Sequence, residues 1–87
     1  MVTNVCKVMQ RLSDGDSIVC TVKAVDRPLN EDDYKGLMLK MHSDFSADPY
    51  DTLYFTIRTT IDGKKDNYKL SNYKEVESKL RGIFNVA

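Results

Sequence analysis

The 87-residue chain contains no tryptophan, one histidine, two cysteines, two prolines and four glycines. Each scarcity closes off a class of function. A single histidine, with no cysteine or second histidine beside it, cannot build a structural zinc centre, which takes four such ligands. Two cysteines are too few for the disulfide framework of a small secreted domain. Cys6 and Cys20 both sit in apolar patterns and read as buried, reduced thiols of a cytoplasmic protein, the alternative being a Cys6–Cys20 disulfide if their Cα atoms come within about 7 Å. Gly15, Gly36, Gly63 and Gly82 are isolated, so there is no phosphate-cradling glycine loop. No apolar run approaches the twenty or so residues that span a bilayer, and no signal peptide is recognisable, so no membrane association is expected.

Net charge is also lacking, with 13 basic against 13 acidic residues. A neutral domain is a poor generic nucleic-acid binder, because phosphate neutralisation dominates that affinity. The balance nevertheless hides a polarity. Residues 1–51 carry six Lys/Arg and nine Asp/Glu, a net of −3; residues 52–87 carry seven and four, a net of +3. A local patch can therefore still work. The chain length implies one compact domain with a single small core.

What is present is strand patterning around a tight turn. Leu53, Phe55, Ile57 and Ile61 fall at alternate positions, with Thr59 between, while Tyr54, Thr56, Arg58 and Thr60 occupy the other side. Asp62-Gly63 supplies hairpin-turn chemistry, and Tyr68 and Leu70 resume the alternation. Upstream, Ile18, Cys20, Val22 and Ala24 alternate with Val19, Thr21, Lys23 and Val25. Leu37, Leu39 and Met41 alternate with Met38, Lys40 and His42 and predict another strand. Val5, Val8, Met9 and Leu12, at i, i+3, i+4 and i+7, predict a short first helix capped by Thr3. Asn72 with Glu75 three residues on predicts the start of a last helix, whose stripe is Tyr73, Val76, Leu80, Ile83 and Phe84. Glu75–Lys79 and Glu77–Arg81 are spaced as ion pairs along it. Between Asp26 and Gly36 a long polar connection is expected, with one helical turn in which Asn30 caps Glu31-Asp32-Asp33. No internal repeat is visible. The expected fold is α+β: a four-stranded antiparallel sheet with N- and C-terminal helices packed on one face, in the order α-β-β-β-β-α.

No catalytic constellation is apparent. His42 has no serine or cysteine nucleophile placed by pattern to serve it. Asp14 and Asp16, or Asp44, Asp48 and Asp51, could gather a hard cation, but neither set has the offsets of a calcium loop. The chain is expected not to be an enzyme and to need no cofactor and no metal.

Two surfaces are candidates for a partner. Leaving one sheet face uncovered exposes Lys23, Met38, Lys40, Tyr54, Arg58 and Lys69, a basic face with an aromatic. The acidic loops Glu31-Asp32-Asp33-Tyr34 and Asp48-Pro49-Tyr50 mix carboxylates with tyrosine. Tyrosine in an acidic loop suits protein contacts, whereas a basic sheet face with an aromatic is how some RNA-binding domains stack bases. The first expectation is a protein partner, the second a nucleic acid, and an edge strand leaves room for a homodimer. The expected helix–strands–helix order resembles that of the double-stranded RNA-binding domain, but Asn72-Tyr73-Lys74-Glu75 stands where that family has a lysine cluster and no Gly-Pro-x-His loop precedes it. In size and in its wealth of Asp, Lys, Asn and Tyr the chain is similar to small phage-encoded proteins that inhibit host machinery. That similarity implies an inhibitor or modulator of a host protein complex.

Overall fold

A computed structural model describes residues 1–86. Its elements are β1 (Thr3–Leu12), β2 (Ser17–Val25), α1 (Glu31–Asp44), β3 (Thr52–Ile61), β4 (Lys64–Leu70) and α2 (Tyr73–Phe84). The class is α+β with one four-stranded antiparallel sheet, in the spatial order β2-β1-β3-β4. The chain order is β-β-α-β-β-α, so two expected elements are exchanged: the first segment is a strand, and Leu37–His42 belongs to a helix.

Both exchanges have a physical cause. In β1 the inward positions are Asn4, Cys6, Val8 and Gln10, all buried. Two of the four are amides, so the apolar alternation of a strand is broken and a helical spacing is left in its place. The amides are buried because each is bonded. Asn4 Nδ2 donates to the Arg27 carbonyl (2.7 Å), and its Oδ1 accepts from the Asp62 amide (2.9 Å). Gln10 Nε2 donates to the Ser46 carbonyl (2.8 Å) and to Thr52 Oγ1 (2.9 Å), while its Oε1 accepts from the Ser46 amide (2.8 Å). The central strand thus ties down three connections that have no core of their own.

In α1 only Leu37 and Met41 are fully buried. Leu39, which made the segment alternate like a strand, is 71% exposed. The helix start follows from local chemistry: Asn30 caps it, Asp33 closes a reciprocal capping box, and Glu31, Asp32 and Asp33 favour the positive end of the helix dipole. The expected single turn at Asn30 therefore exists and runs on to Asp44, where Phe45 ends it in extended backbone.

The hairpin is present over β3 and β4. Asp62 and Gly63 both have positive φ (51° and 81°), the type I′ geometry that matches strand twist. Phe55, Ile57 and Thr59 face inward and are buried; Leu53 is instead 59% exposed, and it is the residue skipped where the β1–β3 register shifts between Arg11 and Leu12. In α2, Val76, Leu80 and Phe84 form the buried stripe, with Tyr73 and Ile83 packed beside it. Asn72 accepts from the Glu75 amide, Glu75 accepts from the Ser71 amide, and left-handed Asn85 ends the helix. Glu75–Lys79 and Glu77–Arg81 do not pair: Lys79 lies over the Tyr68 ring at 4.0 Å, and the salt bridges among the described residues are Arg27–Asp33 and Lys35–Glu31.

The core is one layer. Cys6, Val8, Cys20, Phe55 and Ile57 of the sheet meet Leu37 and Met41 of α1 and Val76, Leu80 and Phe84 of α2. All the sheet members project from one side, so both helices lie on that side. β1 and β3, each of ten residues, are the central pair, and Val8 faces Ile57 across them. The chain thus runs through the order β-β-α twice, a repeat of topology without visible repeat of sequence.

Candidate functional site: the uncovered sheet face

The strand register lays out the second face row by row. Lys23, Val5, Thr60 and Lys65 stand side by side across β2, β1, β3 and β4. The next row is Thr21, Lys7, Arg58 and Asn67, followed by Val19, Met9, Thr56 and Lys69. Ser17, Arg11 and Tyr54 complete the end of the face. Six of these residues are cations: Lys7, Arg11, Lys23, Arg58, Lys65 and Lys69. No carboxylate falls on the face among the described residues. Asp66, the only acid within a strand, belongs by alternation to the helix side; Asp14, Asp16 and Asp62 lie in the turns.

The charge consequence is large. Of 13 Lys/Arg, six lie here, leaving seven against 13 carboxylates on the rest of the molecule: +6 on one face and −6 elsewhere. The shortest dimension of the fold is 18 Å. Screening at physiological ionic strength acts over about 8 Å, so the far carboxylates do not cancel the near cations for a ligand on this face. Zero net charge is therefore no obstacle to local anion binding. Lys7 and Arg58 are direct cross-strand neighbours, and like charges placed so oppose folding.

A groove of about 380 Å³ runs beside this pair, lined by Val5, Lys7, Arg58, Thr59, Thr60, Lys65 and Asn67 and by one carboxylate, Asp66. Lys69 Nζ lies 4.5 Å from the centre of the Tyr54 ring. Arg11 donates to the Gly15 carbonyl at 2.9 Å, which anchors it at the end of the face.

The expected face residues divide. Lys23, Tyr54, Arg58 and Lys69 are where the alternation placed them. Met38 and Lys40 are not on the sheet at all, because their segment is helical; Met38 packs at the core's margin. Lys40 reaches the outer edge of β2, where its Nζ donates to the Thr21 carbonyl (3.1 Å). Lys7, Arg11 and Lys65 were missed. The signal for the first two was present in the period-two series Val5, Lys7, Met9, Arg11, masked by the amides on the other side of the strand.

The acidic loops do not converge. Glu31, Asp32 and Asp33 begin α1, whereas Asp48 and Tyr50 follow its end, about 20 Å away by the rise of fourteen residues. Asp33 is occupied by structure. It accepts from Arg27 at 2.7 and 3.1 Å and from the Asn30 amide at 2.9 Å. The Arg27 hydrogen bond holds its carboxyl below the usual range; burial opposes that shift, and the Asn30 amide bond and the Arg27 charge add to it. Glu31 pairs with Lys35 at 3.9 Å. Tyr34 packs against Phe84, with ring centres 5.8 Å apart. Asp48 shapes its own loop by accepting from the Tyr50 amide at 2.9 Å, leaving the Tyr50 ring 92% exposed.

On the helix side, a cleft of about 310 Å³ lies between the end of α1, the following loop and the start of α2, with Phe45, Pro49, Phe55 and Tyr73 among its lining. His42 also lines it. Its ring centre is 5.7 Å from that of Tyr73, and α1 carries it on the helix side, away from Arg58. Burial raises the Tyr73 hydroxyl, with Glu77 adding to the effect. Burial pushes the Cys6 thiol up to about 12, and it raises Cys20 as well. These groups form no nucleophile–base pair. Among the described residues no three His, Cys, Asp or Glu gather as metal ligands. No helix among them is long and apolar enough to cross a membrane. Comparison with protein-family models, curated proteins and solved structures finds no match.

Proposed function

We propose that the protein is a non-enzymatic binding module and that its uncovered sheet face binds nucleic acid. The supporting observation is six cations and no carboxylate at the outward positions of four adjacent strands. Four of the six are lysines. Protein interfaces are depleted in lysine, whereas phosphate contacts use it freely. The two free buried cysteines fit a reducing compartment such as the cytoplasm.

The test is fluorescence anisotropy with labelled oligonucleotides across a salt series. The expected plot of log affinity against log salt has a slope of about −2 or steeper. Lys7→Glu with Arg58→Glu should lower affinity on the order of a hundredfold at low salt, and the variant should melt no lower than the parent, because a repulsive pair is exchanged for another exposed one. Absence of binding at 50 mM salt, or binding unchanged in the double variant, would refute the proposal.

A protein partner is the second reading, favoured by the exposure of Leu39 and Tyr50. On that reading the module inhibits or modulates a host protein complex, as small phage proteins do. Leu39→Asp and Tyr50→Ala would then release the partner while the sheet-face variant retains it. A homodimer through the β2 edge is disfavoured by Lys40, which already occupies the Thr21 carbonyl there.

A further inference from the structure

We infer that the ligand of this face is a single strand, not a duplex, laid obliquely across the sheet with one base on Tyr54; this rests on the nucleic-acid reading above. The first ground is width. Three inter-strand intervals separate β2 from β4, about 14 Å before side chains are added. The major groove is about 12 Å wide. A helix or a two-stranded ribbon enters it, but this four-stranded face cannot.

The second ground is the arrangement of charge. Four of the six cations, Lys23, Lys7, Arg58 and Lys69, occupy successive strands and fall along one oblique line, with Lys7 and Arg58 in a shared row and Arg11 and Lys65 standing one to each side of it. From strand spacing and rise, the line is about 20 Å long. One line of cations tracks one phosphate backbone; the outside of a duplex presents two.

The third ground is what flanks the line. Val19, Met9 and Tyr54 lie on one side, and the groove at Val5, Thr60 and Asn67 lies on the other. Apolar side chains gain nothing against the phosphate exterior of a duplex. Sugars and unpaired bases offer them apolar surface. Tyr54 is the one aromatic on the face, and its ring lies under the Lys69 ammonium. An exposed cation–π contact is weaker than base–aromatic stacking. An arriving base therefore displaces Lys69 from the ring, and the freed ammonium meets the adjoining phosphate, where it is the last cation of the line.

Labelled single-stranded and duplex oligonucleotides of one sequence, titrated at equal salt, decide the matter. The single strand should bind at least tenfold tighter, with a salt slope of about −3 for four phosphates. Tyr54→Ala should weaken single-strand binding about tenfold, and Tyr54→Phe should restore it, since the ring and not the hydroxyl stacks. Equal or tighter duplex binding overturns the inference and leaves the nucleic-acid reading standing, as does a Tyr54→Ala variant, folded by circular dichroism, that binds like the parent. Binding of poly-glutamate through Lys7 and Arg58, with neither nucleic acid bound, overturns both.

Discussion

Replacing Gln10 by methionine tests whether the central strand holds the fold's loops through polar bonds. The side chain is 0% exposed and makes three hydrogen bonds of 2.8 to 2.9 Å to Ser46 and Thr52. Methionine has a similar volume, so the substitution opens no large cavity and isolates the polar term. Each lost bond costs about 1 kcal/mol net, and a stranded buried donor or acceptor adds about 1–3 kcal/mol. Ser46 is only partly buried, so water recovers part of that addition. The expected loss is about 3 kcal/mol, a large share of the roughly 4–13 kcal/mol available to 87 residues. In a domain this size it corresponds to a fall in Tm of about 12–24 °C. Thermal and urea unfolding followed by circular dichroism measure it. A Tm within about 3 °C of the parent would show that the Phe45–Asp51 connection is held by other means and that the reasoning is wrong.

Two further outcomes follow from buried or paired groups. Cys6 is fully buried with its thiol pushed up to about 12, so at pH 8 it should resist thiol reagents in the native protein and react only as urea unfolds the chain; stoichiometric labelling within minutes without denaturant would contradict that burial. Asp33 is held below its ordinary range by Arg27, so the stability it contributes is present above the unfolded carboxyl's pKa near 4 and is lost as pH falls through the lower folded value. The parent should therefore exceed Asp33→Asn in urea midpoint at pH 6 and converge on it toward pH 2; a gap constant with pH would show that the Arg27 bond is not the cause.

How far the sequence could be read depended on what each position does in the core. The β3–β4 hairpin was legible because Phe55 and Ile57 are apolar, Asp62-Gly63 has no competing reading, and the outward residues are polar. The start of α2 was legible because capping is local chemistry. On the site, Lys23, Tyr54, Arg58 and Lys69 could be placed from alternation alone. Lys65 shares the alternation of Lys69 and was open to the same reading, whereas Lys7 and Arg11 could not be joined to them without knowing that β1 is a strand paired with both β2 and β3.

What the sequence determined by itself was local: the class of fold, the hairpin and the helix caps. The tertiary structure decided where β1 and α1 go. Asn4 and Gln10 are acceptable in a core only when Arg27, Ser46, Thr52 and Asp62, distant along the chain, come to bond them. Leu39 can be left in water only because Leu37 and Met41 already fill the space beneath α1. Placing β1 at the centre of the sheet set Lys7 beside Arg58, and with them the uninterrupted basic face. Burial and charge clustering are properties of assembled elements, and no single segment carries them.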